Sequence, residues 1–183
     1  ASLANVIHSC EKSNQQQHDN LDPNADKSML TQNPTTKHPT PPPNLPASAE
    51  KKIRAFLNAR PSVLHLDHLI KKTDAAQLCY LLEQLLAHRI PLQVAFFQGA
   101  TPLADPSQTR CFTLLASVLR ELPVWSINLG ELNLPDTKCA QLYGVLNNSG
   151  VTHMFYECTV AGDWKEDFKA AIRRNRAKHR HYR

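Results

Sequence analysis

Glycine is scarce: only five occur in 183 residues, which leaves little scope for the glycine-rich loops that cradle phosphates. No P-loop, GxGxxG turn, HExxH helix or nucleophile elbow is found, so no enzyme mechanism presents itself. No segment approaches the roughly 18 apolar residues that a membrane-spanning helix requires. The opening residues also lack the basic start and long apolar run of a signal peptide. Close cysteine pairs are missing too. Cys10, Cys79, Cys111, Cys139 and Cys158 stand apart with no CxxC spacing, three of them in predicted helices. An odd number of isolated thiols argues against a zinc site and for a reducing compartment, cytoplasmic or nuclear. The chain starts without methionine, which favours a portion of a longer protein.

What is present divides unevenly. Residues 1–50 hold most of the Gln, Asn, Thr and Pro and few large apolar side chains, too little to offset the entropy of ordering them. Between Thr31 and Pro46 proline recurs so often that neither a helix nor a central strand persists. Residues 1–47 are therefore expected to form a disordered Pro/Asn/Gln-rich arm. The remainder is expected to be a domain over 48–178 followed by a basic tail at 179–183. Residues 48–59 read as its leading helix, with Ile53, Phe56 and Leu57 facing inward, Ser48 offering a cap and Arg60-Pro61 ending it.

From residue 61 one unit recurs. Four stretches alternate apolar and polar positions: 62–69, 92–98, 124–130 and 151–157. The inward pairs read as Leu64 and Leu66, Val94 and Phe96, Ile127 and Leu129, Met154 and Tyr156, the mark of strands with one buried face. A helical stripe follows each strand: Leu78, Leu81, Leu82 and Leu85; Cys111, Leu114, Leu115 and Val118; Cys139, Leu142, Tyr143 and Leu146; then, more loosely, Trp164, Phe168, Ala171 and Ile172. Asp105, Ser107, Asp136 and Asp163 stand where helix caps are expected, and Gly150 closes the third helix.

Val124, Ile127, Leu129, Leu132 and Leu134 fall on the apolar positions of L-x-x-L-x-L-x-x-N/C-x-L, with Leu132 where Asn or Cys is usual. With the ending "FKAAIRRNR", this resembles a leucine-rich repeat of the ribonuclease-inhibitor-like subtype, about four units over residues 61–177. The resemblance implies a short right-handed α/β solenoid of parallel strands with helices on its convex side. An ordinary α/β layer with parallel strands remains the alternative fold, and it shares the strand direction. In such a repeat the strands line a concave face. The positions between and just after the buried pairs would point into it: His65, Asp67, Ala95, Phe97, Asn128, Gly130, Phe155 and Glu157. His65, Asp67, Phe97, Asn128, Phe155 and Glu157 are the candidate partner-binding residues, with Phe97 and Phe155 as aromatic anchors.

Catalytic and metal chemistry find little support. His65 and Asp67 share a strand face with no nucleophile in view, while His68 is expected to point away. Alternation puts Cys158 and His153 on opposite faces. Of nine histidines only His65 with His68 and His179 with His181 are neighbours, and neither pair is expected to have a further ligand, so no metal and no cofactor are expected. Charge is the other strong feature. The formal net charge is +5, and no acid follows Asp167. Arg173, Arg174, Arg176, Lys178 and Arg180 crowd the end of the chain. The sequence thus points to a non-enzymatic protein–protein interaction module, a scaffold or adaptor. The alternative is nucleic-acid or anionic-surface binding through the C-terminal segment.

Overall fold

The computed structural model describes residues 39–71, 73–156 and 164–180, with the backbone alone at Arg180. The chain divides into two units, Ala1–Thr36 and Lys37–Arg183, and every described residue belongs to the second. Four short strands, β1 (Val63–His65), β2 (Val94–Phe96), β3 (Ser126–Asn128) and β4 (His153–Phe155), form one sheet in the order β1-β2-β3-β4. All three pairings are parallel, and Leu64, Ala95, Ile127 and Met154 share one register row. Parallel neighbours need crossovers, and the apolar stripes supply them. Six α-helices are described: α1 (Ala47–Ala59), α2 (Leu66–Leu69), α3 (Ala75–Ala87), α4 (Thr109–Glu121), α5 (Asp136–Asn147) and α6 (Trp164–Arg180). A 3-10 turn at Thr101–Leu103 precedes α4. Helices α3, α4, α5 and α6 pack in chain order, each on the next, and α1 packs on α2 and α3.

The strand row and the helix stripes close on one core. Leu64, Ala95 and Ile127 are fully buried with Leu78, Leu81, Leu82 and Leu85 of α3, Cys111, Leu115 and Val118 of α4, and Cys139, Leu142 and Leu146 of α5. On α6 the buried stripe is Phe168, Ala171 and Ile172, and on α1 it is Ile53 and Leu57. Asn175 of α6 is buried too. Its Nδ2 donates to the carbonyls of Leu146 and Val151, each at 2.8 Å, tying α6 to the end of α5 and the approach to β4.

Helix ends show how a glycine-poor chain manages its corners. Helix α3 starts under Asp74, whose Oδ1 accepts from the Gln77 amide at 2.8 Å. It ends in a Schellman motif: the Arg89 amide donates to Leu86 O and the Ile90 amide to Leu85 O, with Leu85 and Ile90 both buried. The left-handed residue this motif requires is Arg89, at φ 44°, where glycine is the usual occupant. Helix α1 ends similarly at Arg60, at φ 48°, whose guanidinium donates to the carbonyls of His88 and Arg89 at 3.1 and 3.0 Å.

Several expectations need correction. The domain begins earlier than residue 48: Leu45 is buried in the core, and the side-chain amides of Gln84 and Gln77 donate to the carbonyls of Pro39 and Asn44. Helix α1 starts at Ala47 with no side-chain cap, so Ser48 lies within it. Asp136 is the first residue of α5 and accepts from Trp164 Nε1 at 3.3 Å instead of capping its own helix. Asp105 accepts from the Ser107 amide and hydroxyl in the turn before α4. Asp163, and residues 1–38 of the arm, lie outside the described residues. The stretch 62–69 is not one strand, because the chain leaves β1 at His65 and turns at once into α2.

Candidate functional site

Alternation within three-residue strands puts two register rows opposite the buried one. One row is Val63, Val94, Ser126 and His153; the other is His65, Phe96, Asn128 and Phe155. Phe155 is 61% exposed and Val63 38%, while His65, Phe96 and Asn128 are half-buried. The His65 and Phe96 rings stack, with centroids 4.4 Å apart and planes 5° apart. A parallel sheet is normally covered on both faces. Among the described residues, this face carries its own aromatic and imidazole side chains and no helix stripe.

Three of the predicted binding residues, His65, Asn128 and Phe155, fall together on one row of this face. The Asn128 side chain is partly committed, since its Oδ1 accepts from the Gly130 amide at 2.8 Å. Asp67 lies just beyond the sheet on α2, and it is exposed. Glu157 lies outside the described residues. Phe97 is misplaced: it is fully buried, as is Ala95. The alternation assigned to β2 was one residue out of step, because Val94 and Phe96 are as apolar as the residues that turn inward. Phe96 takes the surface role given to Phe97. Gly130 is buried in a left-handed turn at φ 58°, where an added Cβ would lie 3.4 Å from Gln98 Cγ.

Trp125, just before β3, is 42% exposed and meets His153 edge-on, with centroids 5.2 Å apart. These two rings, with Pro123, Thr152 and His179, line a cleft of about 640 Å³. The sequence carried a faint signal for it, a tryptophan at a variable position of the repeat, between the apolar Val124 and Ile127.

At the β1 end of the face, His65, Asp67 and His68 converge, with one donor atom from each lying within 4.8 Å of the others. The His65 and His68 rings stack with centroids 4.8 Å apart, and His68 Nε2 lies 3.9 Å from Asp67 Oδ2. Strand alternation had sent His68 to the opposite side and left the pair without a further ligand. Because α2 begins at Leu66, His65 and His68 stand in an i, i+3 relation that returns them to one side.

The basic residues of α6 are partly engaged within the protein. Arg174 donates to Tyr143 Oη at 3.1 Å and to Asn147 Oδ1 at 2.6 Å, and it lies over the Tyr143 ring. The hydrogen bond from Arg174, and then one with the Asn147 side chain, hold the Tyr143 phenol below its usual range. Arg176 Nε donates to the Thr152 carbonyl at 2.7 Å. Arg173 and Lys178 are exposed; the Arg180 side chain lies outside the described residues. In the interior, Cys79 and Cys111 face each other between α3 and α4 with their sulfurs 3.0 Å apart, both free thiols. Burial, and then the hydrogen bond with Cys79, push the Cys111 thiol up to about 12, so it is neutral and a poor nucleophile at neutral pH. His153 stands on β4, and its supposed partner Cys158 lies outside the described residues. No described helix is long and apolar enough to cross a membrane.

Comparison of the chain with protein-family models, with curated proteins and with solved structures finds no match.

Proposed function

We propose that the chain is a non-enzymatic protein–protein interaction module of leucine-rich-repeat type, which binds a partner protein on the open face of its parallel sheet. The observation that carries this reading is the register row His65, Phe96, Asn128 and Phe155, whose last member is 61% exposed. Aromatic side chains displayed on a rigid sheet bring large contact area at a small cost in conformational entropy, the usual anatomy of a binding anchor. The in-order sheet and the in-order helix packing support the repeat reading. A reducing compartment fits the free thiols Cys79 and Cys111.

The test is quantitative partner capture from extract by the full chain and by a Phe96→Asp, Phe155→Asp double variant whose circular dichroism at the assay temperature matches the wild type. Proteins lost with the double variant, and retained after alanine replacement of Arg173 and Lys178, are the expected outcome. An identical set of captured proteins would refute the open face as the site. Binding through the basic helix is the second reading, favoured by the exposed Arg173 and Lys178. It predicts the opposite pattern: capture that disappears with those two residues and falls steeply with salt.

A further inference from the structure

The cluster at the junction of β1 and α2 combines two imidazoles and one carboxylate, and neither the fold nor the open face uses it as a set. We propose that His65, Asp67 and His68 form a three-ligand site for a divalent transition-metal ion of the zinc, nickel or copper type. Coordination positions left open toward solvent would be filled by water or by another molecule.

Donor chemistry selects this class. Two neutral imidazole nitrogens and one carboxylate oxygen suit borderline first-row ions. Calcium and magnesium need an array of oxygen ligands that one aspartate does not provide. Lys52 Nζ donates to the His68 carbonyl at 3.1 Å; its positive charge opposes any cation there, so the coordinate bonds from the imidazole nitrogens and the Asp67 carboxylate must outweigh it.

Geometry comes close to what is required. The donor atoms lie within 4.8 Å of one another, against about 3.4 Å between ligands of a tetrahedral zinc ion with bonds of about 2.1 Å. Side-chain rotation closes the difference without moving the backbone. The His68 and Asp67 side chains are 71% and 53% exposed, so they turn at little cost. His65 is the fixed member, because its ring lies flat against Phe96, which limits its freedom before the ion arrives. The other two ligands then close over it from a single turn of helix.

The experiment titrates the full chain with Zn²⁺ by calorimetry, and with Co²⁺ followed by its visible spectrum. The wild type is compared with His65→Phe, which keeps a ring on Phe96, with Asp67→Asn, and with His68→Ala. His153→Gln and His179→Gln serve as controls for the remaining described imidazoles of the sheet face and its cleft. One equivalent of Zn²⁺ is expected, weakened about tenfold or more by each ligand substitution and unchanged by the controls, with Mg²⁺ and Ca²⁺ failing to compete. Circular dichroism confirms that the variants are folded, and loss of the imidazole resonances of His65 and His68 on adding paramagnetic Co²⁺ to the wild type locates the ion independently. The proposal is overturned if no Zn²⁺ binds, if the ligand variants bind as the wild type does, or if only the control variants lose binding.

Discussion

Replacing Asn175 tests how the last helix is held. Its Nδ2 spends both protons on backbone carbonyls, Leu146 O at the end of α5 and Val151 O before β4, at 2.8 Å each, and the residue is 1% exposed. Asn175→Leu keeps the number and branching of the heavy atoms and removes the donors. Each net hydrogen bond is worth about 1 kcal/mol, and a buried acceptor stranded without its donor costs about 1–3 kcal/mol. Leu146 O also accepts from the Ser149 hydroxyl at 3.2 Å, so most of the penalty falls at Val151. Removing Asn175 Oδ1, a buried acceptor with no hydrogen-bond partner among the described residues, offsets about 1 kcal/mol of this, so the sum is about 2 kcal/mol. Asn175→Ala adds a cavity and should cost about 1 kcal/mol more. The assay is urea unfolding followed by tryptophan fluorescence, read as a fall in the midpoint at constant slope. Trp164 reports from α6 itself and Trp125 from beside β3. Loss of the tie should move the Trp164 signal at least as far as that of Trp125. An Asn175→Leu variant within about 0.5 kcal/mol of wild type, the range of an ordinary surface change, would refute the reasoning.

Arg89→Gly should stabilise the domain by about 1 kcal/mol in the same assay, because the left-handed φ of 44° strains any residue with a Cβ. Arg60→Gly should gain less or nothing, since it forfeits two guanidinium bonds to α3's end. Phe97→Ala should cost about 3–5 kcal/mol as a large-to-small change in the core, while Phe96→Ala costs well under half of that. Equal losses at the two positions would show that the register of β2 is wrong. Cys111 gives a pH dependence whose sign follows from its raised value of about 12 against an ordinary thiol value of 9.0. The stability of the neutral thiol is full below about pH 9 and is lost as pH rises from there toward 12, so Cys111→Ala should flatten the alkaline fall of the urea midpoint.

The elements were legible where periodicity was long and unambiguous. The stripe of α3 was read whole from spacing, and those of α4 and α5 largely so: Leu114 and Tyr143 are only half-buried, while Phe112, Leu119 and Val145 join the core. Parallel strands followed from strand and helix alternating. What escaped was local. In β2 the segment "VAFF" is apolar on both faces, so hydrophobicity could not choose between Phe96 and Phe97, and a one-residue slip exchanges surface for core. At β1 the strand period was extended past His65, although the chain had already turned helical. That error set His68 apart from the two residues it stands beside. The tie made by Asn175 was beyond reach of pattern, because a buried amide in a run of arginines resembles one more polar surface residue until its carbonyl partners are in place.

In this domain, chain order and spatial order coincide: each strand pairs with the next strand along the chain and each of α3, α4 and α5 packs on its successor. Within this series structural neighbours are thus also consecutive in synthesis, while α1 and the segment before it wait for α3 to complete their packing. A growing chain of this kind assembles by accretion, each strand and helix settling on the finished edge of the one before it. Its weak point is the layer in which, among the described residues, α6 packs on a single helix, α5. Amide exchange should accordingly be slowest in α4 and β2, flanked on both sides, and fastest among these layers in β4 and α6.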